Sequence, residues 1–149
     1  MIVELVSVGT ELLLGNIVNT NTQYLAEQCA LLGLSLYHQS VVGDNHDRLA
    51  EVVKTALGRS DVGILTGGLG PTEDDLTKEV CAEVMGYKLV EDPHTREHLE
   101  QFFKNNIYKE ISDNNWKQAM VPEGALVLDN HNGMAPGLIL EKDGKTAIL

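Results

Sequence analysis

Cysteine is nearly missing: Cys29 and Cys81 are the only two, and they share no C-x-x-C spacing. No disulfide framework is implied. None is needed either, since a domain of about 150 residues buries about 68–70% of its unfolded surface. Both thiols read as small buried hydrophobes in a reducing, cytoplasmic setting. Aromatic residues are scarce at 5% against a hydrophobic content of 43%. That balance favours aliphatic sheet-and-helix packing over an aromatic-rich β-sandwich. Positive charge is scarce too: 11 Lys and Arg face 22 Asp and Glu, for a net charge of −11. Such a surface repels nucleic acid and anionic membranes, so neither is expected as a partner. A phosphorylated ligand on this chain needs a local positive dipole or a metal ion. No apolar run approaches the length of a membrane span. The opening Met1-Ile2-Val3-Glu4 lacks a basic stretch and reads as the start of a strand, not as a secretory leader.

What the chain does have is concentrated in Thr66-Gly67-Gly68-Leu69-Gly70-Pro71-Thr72-Glu73-Asp74-Asp75-Leu76-Thr77. The apolar run Val62-Gly63-Ile64-Leu65 before it has the length of one buried parallel strand. After it, Leu76, Val80 and Val84 are spaced for one face of a helix. A strand, a glycine turn and a helix N-terminus make an anion site, because free N–H groups and the helix dipole both point at the ligand. Thr72 with Asp75 three residues on predicts a capping box at the helix start. The stretch is not a Walker loop, since no Gly-Lys-Ser/Thr follows. It is not the dinucleotide fingerprint, since Glu73 stands where the third glycine belongs. Asp74 and Asp75 admit two readings: ordinary first-turn acids, or holders of a Mg²⁺-like ion placed between carboxylate and phosphate.

The rest of the chain supports an α/β order. Ile2–Val8 reads as a first strand, broken by Gly9-Thr10-Glu11. Leu12-Leu13-Leu14-Gly15 is too short for a helix and too apolar for an exposed loop, so it is expected to fold back onto the protein or a partner. Asn16, Asn19 and Asn21 follow, either as caps and turn formers or as amides lining a ligand. A helix carrying Leu25, Cys29 and Leu32 stops at Gly33. A second strand within Leu34–Val42 ends at Gly43-Asp44, the strand end where open α/β sheets hold ligands, unless Asp44 merely caps the next helix. That helix has Leu49, Val52, Val53, Ala56 and Leu57 at ideal spacing. The order β-α-β-α-β-α predicts a parallel sheet with right-handed crossovers. Pro93 opens a further helix burying Leu99, Phe102, Phe103 and Ile107. Ile111–Trp116 reads as a cap into a short helix, with Trp116 and Met120 facing inward. Short strands follow at Ala125–Leu128, Leu138–Leu140 and Thr146–Leu149, the last two joined by a turn at Asp143-Gly144. His94-Thr95-Arg96-Glu97-His98 matches H-x-x-E-H but offers no third zinc ligand, and it reads as a first-turn histidine pair.

Three stretches carry a resemblance to a known family: Gly9–Asn21, Val42–Asn45 and Leu65–Thr77, supported by Pro122–Ala125 and Ala135-Pro136-Gly137. Together they resemble the N-terminal domain of the competence/damage-inducible protein CinA family, within the molybdopterin-binding superfamily. The resemblance covers residues 1–149 as one domain and implies a three-layer α/β/α fold with a mostly parallel central sheet. No deamidase domain is expected. The chain ends inside a strand where the family's domain continues, so truncation at the C-terminal end is expected.

The same resemblance implies one of two activities. The first is divalent-metal-dependent hydrolysis of the pyrophosphate bond of ADP-ribose, giving AMP and ribose 5-phosphate. The alternative is molybdopterin binding without hydrolysis. It implies that Asp44 and Asp75 serve the site, where Mg²⁺ or Co²⁺ is expected; on the mechanism expected here, Asp74 is a further catalytic carboxylate that orients the attacking water. Ligand contacts are expected from Gly9, Thr10, Glu11, Asn16, Asn19 and Asn21. More are expected from the loop itself, Thr66, Gly67, Gly68, Leu69, Gly70, Pro71 and Thr72, and from Pro136 and Gly137. A homo-oligomer, dimer or trimer, is expected on family grounds.

Overall fold

The computed structural model describes residues 1–105 and 112–149. Strand β1 (Ile2–Val8) is followed by one helical turn, α1 (Thr10–Leu13), and by α2 (Thr20–Leu31). Then come β2 (Ser35–Val42), α3 (His46–Arg59), β3 (Val62–Thr66) and α4 (Thr77–Met85). A smaller unit holds β4 (Leu89–Glu91), α5 (Pro93–Asn105), a 3₁₀ helix (Asp113–Ala119) and β5 (Met120–Pro122). The chain closes with β6 (Leu126–Leu128), β7 (Gly137–Lys142) and β8 (Lys145–Ile148).

The main sheet runs β2-β1-β3-β8-β7-β6, and β4 and β5 form a separate antiparallel ribbon. The β1, β2, β3 and β8 pairings are parallel, whereas β7 runs antiparallel to both neighbours. Three layers follow from the alternation along β1. Val3 and Leu5 pack with Cys29 of α2, while Val6 and Val8 pack with Leu49, Val53 and Val80 of α3 and α4. A strand buried on both faces needs apolar residues at successive positions, and β1 supplies them. A third cluster, Leu99, Phe103 and Ala119, joins α5 to the 3₁₀ helix. Among the described residues, no helix is long and apolar enough to cross a membrane.

Two expectations change. The Leu12–Leu14 stretch does contain a helical turn, closed by the Leu13 and Leu14 amides on the Gly9 and Thr10 carbonyls. It folds back little onto the domain itself: Leu13 is 55% and Leu14 68% exposed. Helix α4 starts at Thr77 rather than just after Thr72, and no side chain caps it. The positions of Ile107 and Ile111 lie outside the described residues.

One position on β1 breaks the apolar pattern. Glu4 is 1% exposed. Arg59 at the end of α3 reaches it with two hydrogen bonds, Nε to Oε2 at 2.8 Å and Nη2 to Oε1 at 2.7 Å. Those bonds outweigh the cost of burial and hold the Glu4 carboxyl below its ordinary 4.5. A depressed carboxyl stabilises the fold above its unfolded pKa, and this contribution is lost as pH falls through the folded value. Arg59→Met is therefore expected to unfold at lower denaturant than wild type at pH 7, with the gap closing below pH 4.5. Urea titrations at the two pH values check this; a gap independent of pH would refute it.

Candidate functional site

The sheet order places a reversal at β1. The chain leaves β1 for β2 on one side and comes back over it to β3 on the other. Such a reversal opens a crevice at the carboxyl ends of the two central strands. A cleft of about 170 Å³ lies there, lined by Val8 from β1, by Thr66 at the end of β3 and by Gly67 just after it. Its opposite wall includes Glu11, Asn19 and Asn21.

The glycine loop is shaped by its own carbonyls. The Thr77 hydroxyl donates to Gly67 O at 2.7 Å, and the Thr77 amide donates to Gly68 O at 3.0 Å. Gln118 Nε2 donates to Leu69 O at 2.8 Å. Lys117 Nζ donates to Thr72 O at 2.9 Å and to Asp75 O. Carbonyls held in this way are turned away from a ligand. The amides of Gly68 and Leu69 meet no acceptor among the described residues. Amides left without partners beside satisfied carbonyls form a concavity suited to an anion.

Asp75 folds back on this loop. Its Oδ2 accepts from the Thr72 amide at 3.0 Å and the Thr72 hydroxyl at 2.5 Å. This is half of the expected capping box, built on a turn ahead of the helix. Burial pushes the Asp75 carboxyl up, but the Thr72 and Gly70 donors and the Lys117 charge outweigh it. The carboxyl therefore ionises below its ordinary value. Asp74 is exposed next to it.

Asp44 does not cap α3; the Asn45 side chain does, accepting from the Arg48 amide at 3.1 Å. Asp44 Oδ2 instead accepts from the Thr10 amide at 3.0 Å and the Thr10 hydroxyl at 2.8 Å, tying the loop after β2 to the loop after β1. Gly9 is buried beneath that tie, its amide on Val42 O at 2.9 Å. Asn19 is mainly structural: its Oδ1 caps α2 at the Thr22 amide and its Nδ2 donates to Ser7 Oγ at 2.8 Å. Asn16 is exposed and is not part of the cleft wall. Pro136 lies on a separate small cavity with Thr95 and His98, and Gly137 opens β7.

Among the described residues, no three His, Cys, Asp or Glu side chains stand close enough to hold a metal ion. The donor chemistry nevertheless fits an ion shared with a ligand. Such an ion takes one or two carboxylates plus phosphate oxygens rather than an all-protein cage. The histidine pair of the H-x-x-E-H match forms no joint site: His94 Nε2 pairs with Asp129 at 2.7 Å.

Three residues of the site have no local signature in the sequence. Lys117 and Gln118 lie more than forty positions from the carbonyls they hold. Lys78 is buried, its amine pushed down to about 8 by burial, and its Nζ donates to Lys117 O at 2.6 Å. It anchors the 3₁₀ helix that clamps the loop.

These features define a class: an α/β domain with a mixed, mostly parallel sheet and a glycine loop at its switch point. The family described as "Probable molybdopterin binding domain" matches residues 4–149. A competence-damage inducible protein of Caldicellulosiruptor bescii is 56% identical over 149 residues, which is all of this chain and 36% of that protein. The chain thus spans little more than a third of the length of such relatives. The crystal structure of CinA from Thermoplasma acidophilum superposes with a TM-score of 0.91 at 31% identity, covering 99% of this chain and 85% of that one. The molybdopterin biosynthesis enzyme MoaB of Thermus thermophilus shares the fold, with a TM-score of 0.62 at 15% identity over 99% of this chain and 78% of that one. The chain belongs to the molybdopterin-binding-domain family and, within it, to the CinA-type domains.

Proposed function

We propose that this domain binds ADP-ribose across the glycine loop and hydrolyses its pyrophosphate bond to AMP and ribose 5-phosphate. One observation carries the reading: loop carbonyls locked by Thr77, Gln118 and Lys117, with the Gly68 and Leu69 amides left for an anion. The amides cradle one phosphate, and Thr66 lines the adjoining cleft. The ribosyl end then faces the cleft of Glu11, Asn19 and Asn21. Asp44 and Asp75 are the residues that would hold a divalent ion, Mg²⁺ or Co²⁺, which when bound neutralises charge on the phosphoryl oxygens and polarises them. Asp74 orients the attacking water. Water adds at phosphorus, one bridging P–O bond breaks, and the water's two protons leave on the two phosphate monoesters or pass to solvent. The hydrolysis reading follows what the CinA resemblance implies; the alternative, a molybdopterin holder without hydrolysis, follows the family's description.

The test is incubation with ADP-ribose in Mg²⁺, in Co²⁺ and in chelator, with AMP read by chromatography. AMP formed only with metal supports a pyrophosphatase. No AMP, either from this chain or from one extended beyond Leu149, overturns hydrolysis and leaves the pterin-binding reading.

A further inference from the structure

The other end of the glycine loop opens on a second, larger space. Pro71, Thr72 and Glu73 line a cavity of about 490 Å³ whose far wall includes Trp116, Lys117 and Met120. Trp116 is the chain's single tryptophan. Its indole packs against the Leu99–Phe103–Ala119 cluster. The Arg96 guanidinium lies 4.3 Å over the ring centroid, and Arg96 is itself pinned by Glu91 at 2.7 Å and Glu100 at 3.5 Å. Trp116 lines the cavity and Arg96 does not. An aromatic plate fixed in orientation is what base stacking requires, because little side-chain freedom is lost on binding.

Charge decides what fits. Glu73, Asp113 and Glu91, the last already paired with Arg96, line the same cavity against Lys117 alone. Lys117 already spends its ammonium on the Thr72 and Asp75 carbonyls and on Glu79 at 3.7 Å. A second phosphate is repelled here, whereas an uncharged ring carrying N–H donors is welcome, since carboxylates only accept hydrogen bonds. We infer that this cavity takes the aminopurine of a nucleotide, stacked on the Trp116 indole, while its phosphate stays on the amides of the glycine loop. The inference rests on the nucleotide reading above. It gives that reading a polarity: base towards Trp116, ribosyl phosphate towards Asn19 and Asn21.

The single tryptophan supplies the measurement. AMP, inosine 5′-monophosphate and ribose 5-phosphate are titrated while Trp116 emission is followed, and AMP affinity is measured by calorimetry for Trp116→Phe, Trp116→Ala and Glu73→Gln. Saturable quenching by AMP is expected, with none from ribose 5-phosphate. The inosine nucleotide, lacking the exocyclic amine, binds several-fold more weakly. Trp116→Ala weakens AMP about 10- to 100-fold, the range that losing one stacking contact implies. Trp116→Phe keeps a stacking surface, retains most of the affinity and guards against a folding artefact. The inference is overturned if AMP binds without changing Trp116 emission. It also falls if a natively folded Trp116→Ala binds AMP like wild type, or if the two purine nucleotides bind equally. ADP-ribose hydrolysis with a wild-type KM in Trp116→Ala sinks this inference and leaves the pyrophosphatase standing. AMP stacking without any hydrolysis does the reverse.

Discussion

Gly67→Ala is expected to lower stability by about 3 kcal/mol or more and to abolish AMP binding. Two costs combine. Gly67 has φ +88°, a region where a side chain costs about 1–3 kcal/mol. In addition, a Cβ at this position would lie 2.0 Å from the Val8 carbonyl oxygen, at the end of β1. No flexible tip is available to swing aside, because the obstacle is backbone in a strand paired on both edges. The loop has to move, and with it the carbonyls that Thr77 and Gln118 hold. Gly33→Ala is the control. Gly33 has φ +70° but nothing within 4 Å of its added methyl, so only the backbone term of about 1 kcal/mol applies. Urea midpoints of the two variants separate strain from clash. If Gly67→Ala is no less stable than Gly33→Ala, the close approach of the loop to β1 does not exist in solution.

The same approach of loop to strand explains what could be read from the chain alone. β1, α3 and β3 were legible because each is buried along a stripe or on both faces, so apolar residues fall at the spacing of the element. The glycine loop was legible as a turn between a strand and a helix because three glycines and a strand before them leave few alternatives. Its detailed form was not. Thr72 and Asp75 have capping-box spacing and do pair, yet they close a turn, and α4 begins later, at Thr77. The difference comes from Lys117 and Gln118, which hold loop carbonyls from the distant 3₁₀ helix. No periodicity in Asp113–Ala119 announces that contact. Asp44 shows the converse. Its place at a strand end was readable, but its partner Thr10 was not, because Asn45 next to it takes the capping role.

Asp75→Asn is expected to cut metal-dependent turnover about 100-fold while leaving AMP affinity within a few-fold of wild type. Asp75 has two jobs that this substitution separates. One is structural: Oδ2 receives the Thr72 amide and hydroxyl. An asparagine can present its carbonyl oxygen to both donors, so the turn and the cradle survive. The other job is charge, which asparagine lacks, and without it a divalent ion loses one of its two proposed carboxylates. Asp75→Ala removes both jobs and is expected to lose AMP affinity as well as turnover. The carboxyl is held below its ordinary 3.8, so it is mostly ionised above that value. Its ionised form therefore stabilises the loop from there upward, and this contribution disappears only as pH falls through the lower folded value. An acidic limb near neutral pH in the rate profile must then come from another group, and Asp75→Asn leaves such a limb where it is. Steady-state rates with Co²⁺ from pH 5 to 9, alongside AMP calorimetry, check each part. Turnover in Asp75→Asn equal to wild type would remove the carboxylate from the chemistry, and AMP affinity lost together with turnover would make Asp75 a loop builder alone.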